Sequence, residues 1–400
     1  YWNIWSANTS PYNATTSLAD KTGGLVNDYK QYNIGYGTPV SGTGNGLLFT
    51  YAPSLSFGLT GTVTKAYDGT TAATLASGNY SVSGHIGGDV ITYTRPTSGT
   101  YAASVVGTGL VVSTTDISFT SATSATGKPV YGYQIAGTSA TGSVGVITAK
   151  QVTATLAANN KVYDANTSAT GTLTLSGFVT DDTGTVTASS LTFASADVAY
   201  SGSTVVAKTV TASGLSLGAG LSNSALASTT VTGSASITPA PLTITATNQA
   251  GFVTRAPSLS GTGFVASGLI GGQSVTSVNL STTATSASVA ADYPLTVIAA
   301  TAAAGTTLGN YSVTYVPGTY TVVPADGLLI SSNGVSTPYG TNASVVPVSI
   351  SYLVSGGASI TTLTNYTVTN GIYTFADGAS GAVSFSLVPT TGTNRSGSGN

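Results

Sequence analysis

Apolar and polar positions alternate through most of this chain in runs of about four to eight residues, each closed by Gly, Asn, Asp or Pro. A period of two places one face of a strand in a core and the other in solvent. Between residues 57 and 150 it predicts strands over 59–66, 79–82, 90–94, 105–112, 117–120, 132–136 and 143–148. By strand number this suits an Ig-like sandwich. Gln151-Val152-Thr153-Ala154-Thr155-Leu156 opens a second such stretch and Leu242-Thr243-Ile244-Thr245-Ala246 a third. The third closes on Tyr311–Val316 and Gly318–Val322, which predict a terminal hairpin around Pro317-Gly318. Further strands are predicted over 328–331, 345–353, 366–369, 372–375 and 383–388. Pro239-Ala240-Pro241 and Val323-Pro324-Ala325 lack ladder donors and predict stiff joints between domains.

One block recurs. Lys65-Ala66-Tyr67-Asp68-Gly69-Thr70-Thr71-Ala72-Ala73-Thr74 returns as Lys161-Val162-Tyr163-Asp164-Ala165-Asn166-Thr167-Ser168-Ala169-Thr170, 96 residues on. A period that long is a whole domain rather than a solenoid rung. A second internal match runs from Asp116-Ile117-Ser118-Phe119 to Asp197-Val198-Ala199-Tyr200, whose alternation predicts an inward apolar pair. Tyr67-Asp68 and Tyr163-Asp164 read as structural corners, the Tyr burying its ring and the Asp capping the turn.

Composition narrows the picture. Charged residues make up 6% of 400, far below an ordinary soluble domain, and every acidic side chain is Asp. The ten Lys and Arg are scattered, so nothing resembles a nucleic-acid footprint. With hydrophobics at 41% the chain is read as ordered β structure. No apolar run approaches the ~20 residues of a membrane span. Cys is absent, which excludes disulfides and thiolate metal sites. Met is absent too, so the chain is expected to be a processed product or part of something longer.

Candidate chemistry is sparse. His85, the one histidine, sits in a turn-like Ser83-Gly84-His85-Ile86-Gly87-Gly88, and no nucleophile elbow accompanies it. The expectation is no catalysis and no cofactor. Asp181-Asp182, the adjacent acidic pair, is read as a solvated loop rather than a Ca²⁺ site. Lys65 with Asp68 and Lys161 with Asp164 are weighed as isopeptide partners and set aside, because neighbours three apart cannot reach across a sandwich. Sequons such as Asn79-Tyr80-Ser81, Asn279-Leu280-Ser281 and Asn310-Tyr311-Ser312 are common by chance in such a composition. Residues 1–56 are aromatic, and Trp2, Trp5 and Tyr12 are the candidates for a glycan or partner contact. The alternative is that these rings are packing core.

The Lys-x-Tyr-Asp-Gly-Thr-Thr-Ala-Ala-Thr block, with Gly127-Lys128-Pro129-Val130, resembles the YDG domain of large secreted bacterial exoproteins of the filamentous-haemagglutinin, two-partner-secretion type. Residues 240–324 resemble the MBG domain of the same proteins, through Pro239–Ala246, Gly268-Leu269-Ile270-Gly271-Gly272-Gln273-Ser274, Tyr293-Pro294-Leu295-Thr296 and Asn310–Tyr315. The opening, with Asp28-Tyr29-Lys30-Gln31-Tyr32-Asn33 and Gly42-Thr43-Gly44-Asn45-Gly46, is similar to the segment joining a β-helical shaft to the YDG repeats. The second copy departs from the pattern at Ala165-Asn166. The resemblance implies an exported surface protein with an outer-membrane secretion partner, and no catalytic residues.

The expected organisation is all-β: tandem Ig-like sandwiches in an elongated string after an aromatic-rich segment. The boundaries are 1–56 (cap or linker), 57–150 and 151–239 (YDG-like), 240–324 (MBG-like) and 325–400 (a fourth β unit). The expected role is an adhesive stalk on the bacterial cell surface, contacting other copies of itself, host or abiotic surfaces, or glycans. A self-assembling filament or biofilm-matrix subunit and a carbohydrate-binding module are the alternatives.

Overall fold

A computed structural model describes residues 1–8, 25–180, 182–332, 347–354, 359–376 and 381–386. The described chain is essentially all-β, with several sheets and no α-helix; two single 3-10 turns, Ser77–Asn79 and Leu308–Asn310, interrupt it. Among the described residues no helix is long and apolar enough to cross a membrane. Two compact units divide the chain: Tyr1–Ala158 with Thr170–Thr192 and Val210–Gly233, and Asn159–Ala169 with Phe193–Thr209 and Ser234–Asn400.

In the first unit, a six-stranded sheet runs Asn3–Ser6, Gly46–Phe49, Tyr29–Gln31, Pro129–Tyr131, Phe119–Thr123, Val90–Tyr93. Its first four strands are parallel and the rest antiparallel. The aromatic opening thus supplies half of a sheet whose other half belongs to the first repeat. Gly46–Phe49 is buried throughout, because it is covered on both faces: Leu47 and Phe49 enter the main core, and Leu48 packs with Tyr29, Ile34 and Trp5. A doubly covered parallel strand needs a continuous apolar run rather than alternation.

A second sheet contains Ser54–Leu59, Ala140–Thr148, Gly107–Thr114, Ser98–Tyr101 and Ala72–Thr74, with Val63–Ala66 alongside. The core of the unit gathers Leu55, Phe57, Tyr101, Val112, Ile117 and Ile147 with Tyr32 and Phe49. The strand expected over 59–66 is broken at Gly61, which takes a positive φ of 72°, so that Ser54–Leu59 and Val63–Ala66 are separate strands, both parallel to Ala140–Thr148. The unit also holds a smaller sheet, Gly171–Ser176, Lys150–Ala158 and Ser224–Leu226, over a core of Ala154, Ala212 and Leu215.

In the second unit, a three-stranded sheet, Phe264–Ser267, Ala240–Ala246, Tyr311–Val316, accompanies a four-stranded one, Gln249–Phe252, Gly318–Val323, Ala291–Ala302, Val275–Thr282. Two expectations are corrected here. Pro241 is not in a linker: it lies inside Ala240–Ala246, paired in parallel with Ser312. Nor do Tyr311–Val316 and Gly318–Val323 form a hairpin. Pro317 carries the chain from one sheet to the other, the first strand pairing with Ala240–Ala246 and the second with Gln249–Phe252 and Ala291–Ala302. Of the inward pair expected at Val198 and Tyr200, Val198 is buried, whereas Tyr200 is exposed and donates its hydroxyl to the carbonyl of Gly309 at 2.8 Å. The described part of 325–400 forms two antiparallel three-stranded sheets: Leu328–Ser332, Pro347–Leu353, Ile360–Leu363, and Tyr366–Thr369, Ile372–Ala376, Ala382–Ser386.

Candidate functional site: tyrosine corners and their sockets

The recurrent corner is built by its own residues. Lys65 lies on a strand in parallel register with Ile147, and Tyr67 N–H donates to the Thr148 carbonyl at 2.8 Å. The chain then turns through Gly69 at a φ of 79°. The Lys65 ammonium fills its donors on Asp68 Oδ1 (2.7 Å), the Thr70 carbonyl (2.7 Å) and Thr70 Oγ1 (3.0 Å), 5.5 Å from the centre of the Tyr101 ring. Asp68 Oδ1 also accepts the Thr70 N–H at 2.9 Å. The hydrogen bond from Lys65 comes first among the causes that lower the Asp68 carboxyl to about 2.

The second corner repeats this. Lys161 pairs with Ile237, and Tyr163 N–H donates to the Thr238 carbonyl at 2.8 Å. Lys161 Nζ bonds Asp164 Oδ1 (2.6 Å), the Asn166 carbonyl (2.8 Å) and Asn166 Oδ1 (3.0 Å), beside Phe193. Burial pushes the Asp164 carboxyl up, but the bonds from Lys161 and from the Asn166 N–H outweigh it and hold the group below its ordinary value.

A third corner was not singled out from the sequence as a copy. Lys30-Gln31-Tyr32-Asn33 pairs Lys30 in parallel with Val130, and Tyr32 N–H donates to the Tyr131 carbonyl at 2.9 Å. Asn33 replaces Asp, so this corner supplies no carboxylate of its own.

Each tyrosine hydroxyl then meets a loop of the following repeat. Three loops share a frame: Gly84-His85-Ile86-Gly87-Gly88-Asp89, Gly177-Phe178-Val179-Thr180-Asp181-Asp182 and Gly268-Leu269-Ile270-Gly271-Gly272-Gln273. In each, the last N–H donates back to the carbonyl three residues earlier: Asp89 to Ile86, Asp182 to Val179, Gln273 to Ile270. Tyr32 Oη donates to Asp89 Oδ2 at 3.1 Å, Tyr67 Oη donates to Asp182 Oδ1 at 3.2 Å, and Gln273 Nε2 donates to Tyr163 Oη at 2.8 Å.

Two of these sockets contain a second tyrosine. Tyr133 Oη donates to Asp89 Oδ2 at 3.0 Å and accepts the Ile86 N–H at 2.9 Å. Tyr311 Oη donates to Gln273 Oε1 and accepts the Ile270 N–H at 3.1 Å. The ring pairs match as well: Tyr32 meets Tyr133 edge-on at 5.2 Å, and Tyr163 meets Tyr311 edge-on at 5.4 Å. Asp89 has no exposed side-chain surface, and Lys30, 12% exposed, closes on its Oδ1 at 2.9 Å. Burial, together with the Asp89 carboxylate, raises the Tyr133 hydroxyl well above its ordinary value.

The family comparisons bear on these elements. The YDG domain family matches residues 52–141, and the MBG domain family (YGX type) matches residues 242–321. The chain carries a YDG domain and an MBG domain. No curated protein matches it. The Asp89 socket therefore lies in the YDG domain and the Gln273 socket in the MBG domain. The corner entering the YDG domain comes from the aromatic opening, outside the matched residues.

The other candidates fall as follows. Trp2 packs against the core shared with the YDG domain; Trp5 packs near Leu48 and meets the exposed Tyr36 edge-on at 5.5 Å. Tyr12 and Asp181 lie outside the described residues. His85 is exposed ahead of its loop's turn. Among the described residues no cluster of His, Cys, Asp or Glu could hold a metal ion. Asn79 Nδ2 donates to the Thr60 and Thr62 carbonyls, one of which a glycan there would displace, and Asn310 is buried, bonding Asp197 and the Val198 N–H, so a glycan there would have to enter the interior. Composition hid the sockets, since Ile-Gly-Gly-Asp reads as a plain turn; comparing it with Ile-Gly-Gly-Gln in the MBG domain would have exposed them.

Proposed function

We propose that this chain is a structural and adhesive stalk region of a secreted bacterial cell-surface exoprotein of the filamentous-haemagglutinin, two-partner-secretion type, without catalysis. The observation that carries this reading is the corner-and-socket joint, a Lys-x-Tyr corner whose tyrosine hydroxyl meets the next repeat's loop, built three times. Its buried polar groups hydrogen-bond a tyrosine of one repeat to a loop of the next. YDG and MBG domains together fit a string of spacers rather than an enzyme. Contact with host or abiotic surfaces, or with glycans, would then come from side chains outside the joints. The test is a pair of bacterial strains, with and without the region in the exported protein. Deletion is expected to reduce attachment while export persists; unchanged attachment would overturn the reading.

One observation favours the filament alternative. The outer strands Phe264–Ser267 and Val275–Thr282 carry no charged residue, and Val265 is exposed, so little protects these edges from a further strand. Images of the purified protein as a regular polymer would decide for it. Saturable glycan binding abolished by Trp5→Ala would decide for a carbohydrate-binding module.

A further inference from the structure

The three joints are not equally complete. Register identifies the socket tyrosine's counterpart in the second repeat. In the MBG domain Tyr311 pairs with Ala240, two residues before the buried Leu242. In the YDG domain Gln134 pairs with Ser54, which sets Tyr133 beside Pro53, two residues before the buried Leu55. In the second repeat the residue paired with Lys150, two before the buried Val152, is Ser224. The next steps agree: Ala136 N–H donates to the Leu55 carbonyl and Ala227 N–H to the Val152 carbonyl, both at 2.9 Å.

A serine hydroxyl stops several ångströms short of where a tyrosine hydroxyl ends. By that register the absent ring would have run between Ser224 and Asp182, and both residues carry an unsatisfied atom. Asp182 Oδ2 and Ser224 Oγ are buried with no hydrogen-bond partner. Asp89 accepts hydrogen bonds at both oxygens, and Gln273 uses both its oxygen and its nitrogen. Lysine does not compensate either: Lys65 is held within its own corner by Asp68 and Thr70, while Lys30, beside Asn33, reaches the socket acid. A buried polar atom without a partner favours the open state, where water satisfies it.

We infer that Ser224 makes the joint between Tyr67 and the 177–182 loop the first of the three to open, and that the socket tyrosine sets how firmly each joint closes. This rests on reading the joints as fastenings, but it concerns their relative strength and stands whether or not the protein adheres to anything.

The test is hydrogen–deuterium exchange of the intact chain under native conditions. Amides of the 177–182 loop and of residues 66–70 are expected to exchange about tenfold or more faster than those of 84–89 and 268–273. Ser224→Tyr should slow exchange at 177–182 and leave 268–273 unchanged. Tyr311→Ser, the reciprocal change, should speed exchange at 268–273 toward the rate of the second joint. Equal or slower wild-type exchange at 177–182 overturns the inference without any variant having to fold. A Tyr311→Ser protein whose 268–273 loop keeps its protection overturns it as well.

Discussion

At the level of single residues, Asp89 carries the largest consequence. Its carboxylate is fully enclosed and receives Lys30, Tyr32 and Tyr133. Removing one charge of a buried pair strands the other, at a cost of about 3–5 kcal/mol. Asp89→Asn and Lys30→Met are each expected to destabilise by that amount in urea unfolding, and the double variant by less than their sum. Asp68 makes a gentler, pH-dependent contribution, because half of its side chain is exposed. Its carboxyl is lower in the folded protein than in the open chain. The stability it adds is therefore complete above the ordinary carboxylate value of 3.8 and is lost as pH falls toward about 2. A carbon-detected titration of Asp68 should show the depressed midpoint, and Lys65→Met should return it toward the ordinary value.

At the level of turns and strands, two kinds of backbone position make opposite predictions. Ala165 occupies the left-handed region at a φ of 62°, where the first corner has Gly69. A side chain there costs roughly 1 kcal/mol, so Ala165→Gly should raise the melting temperature, against the usual effect of glycine. The glycines opening the socket loops behave in the contrary sense. Gly84 has a φ of 85°, and a Cβ there would stand 2.0 Å from the Ser54 carbonyl oxygen; at Gly268 it would stand 2.3 Å from that of Pro241, but at Gly177 the nearest atom is 3.5 Å away. Gly84→Ala and Gly268→Ala should each cost more than about 1 kcal/mol, and more than Gly177→Ala, in thermal melts.

Strand existence was legible from alternation because most strands bury one face, as Ser54–Leu59 does with Leu55, Phe57 and Leu59. Partner choice was not. Period-two patterning is identical in a strand that pairs with its sequence neighbour and in one that crosses to another sheet, so Tyr311–Val316 and Gly318–Val323 looked like a hairpin. Proline misled for a related reason: Pro241 lacks a donor, yet a strand tolerates it where its nitrogen is not required for the ladder. At the corners, Lys-x-Tyr-Asp announced the buried ring and the capping carboxylate but not the lysine's role, although its hydrogen-bond partners all lie within five residues. The sockets were obscure because they join residues more than 40 positions apart, Ile86 with Tyr133 and Ile270 with Tyr311.

Taken as a whole, the chain gives the aromatic opening a part in the core of the YDG domain. Tyr32, Leu47 and Phe49 sit among the same buried side chains as Leu55, Phe57 and Tyr133. Deleting residues 1–50 removes three strands of the six-stranded sheet and uncovers those apolar groups. The truncated protein is expected to lose its cooperative melting transition and to bind a hydrophobic dye, while the intact chain does neither.

The parallel ladders have a mechanical meaning. Val63–Ala66 lies beside the end of Ala140–Thr148, Lys161–Val162 beside Ile237–Thr238, and Ala240–Ala246 beside Tyr311–Val316, each pair running in the same direction. In such a pair the start of the earlier strand and the finish of the later one point to opposite ends. A tug on those two points slides one strand along the other, so all the cross-strand bonds are strained together and must give way at once. Antiparallel neighbours gripped at adjacent ends would unzip one bond at a time.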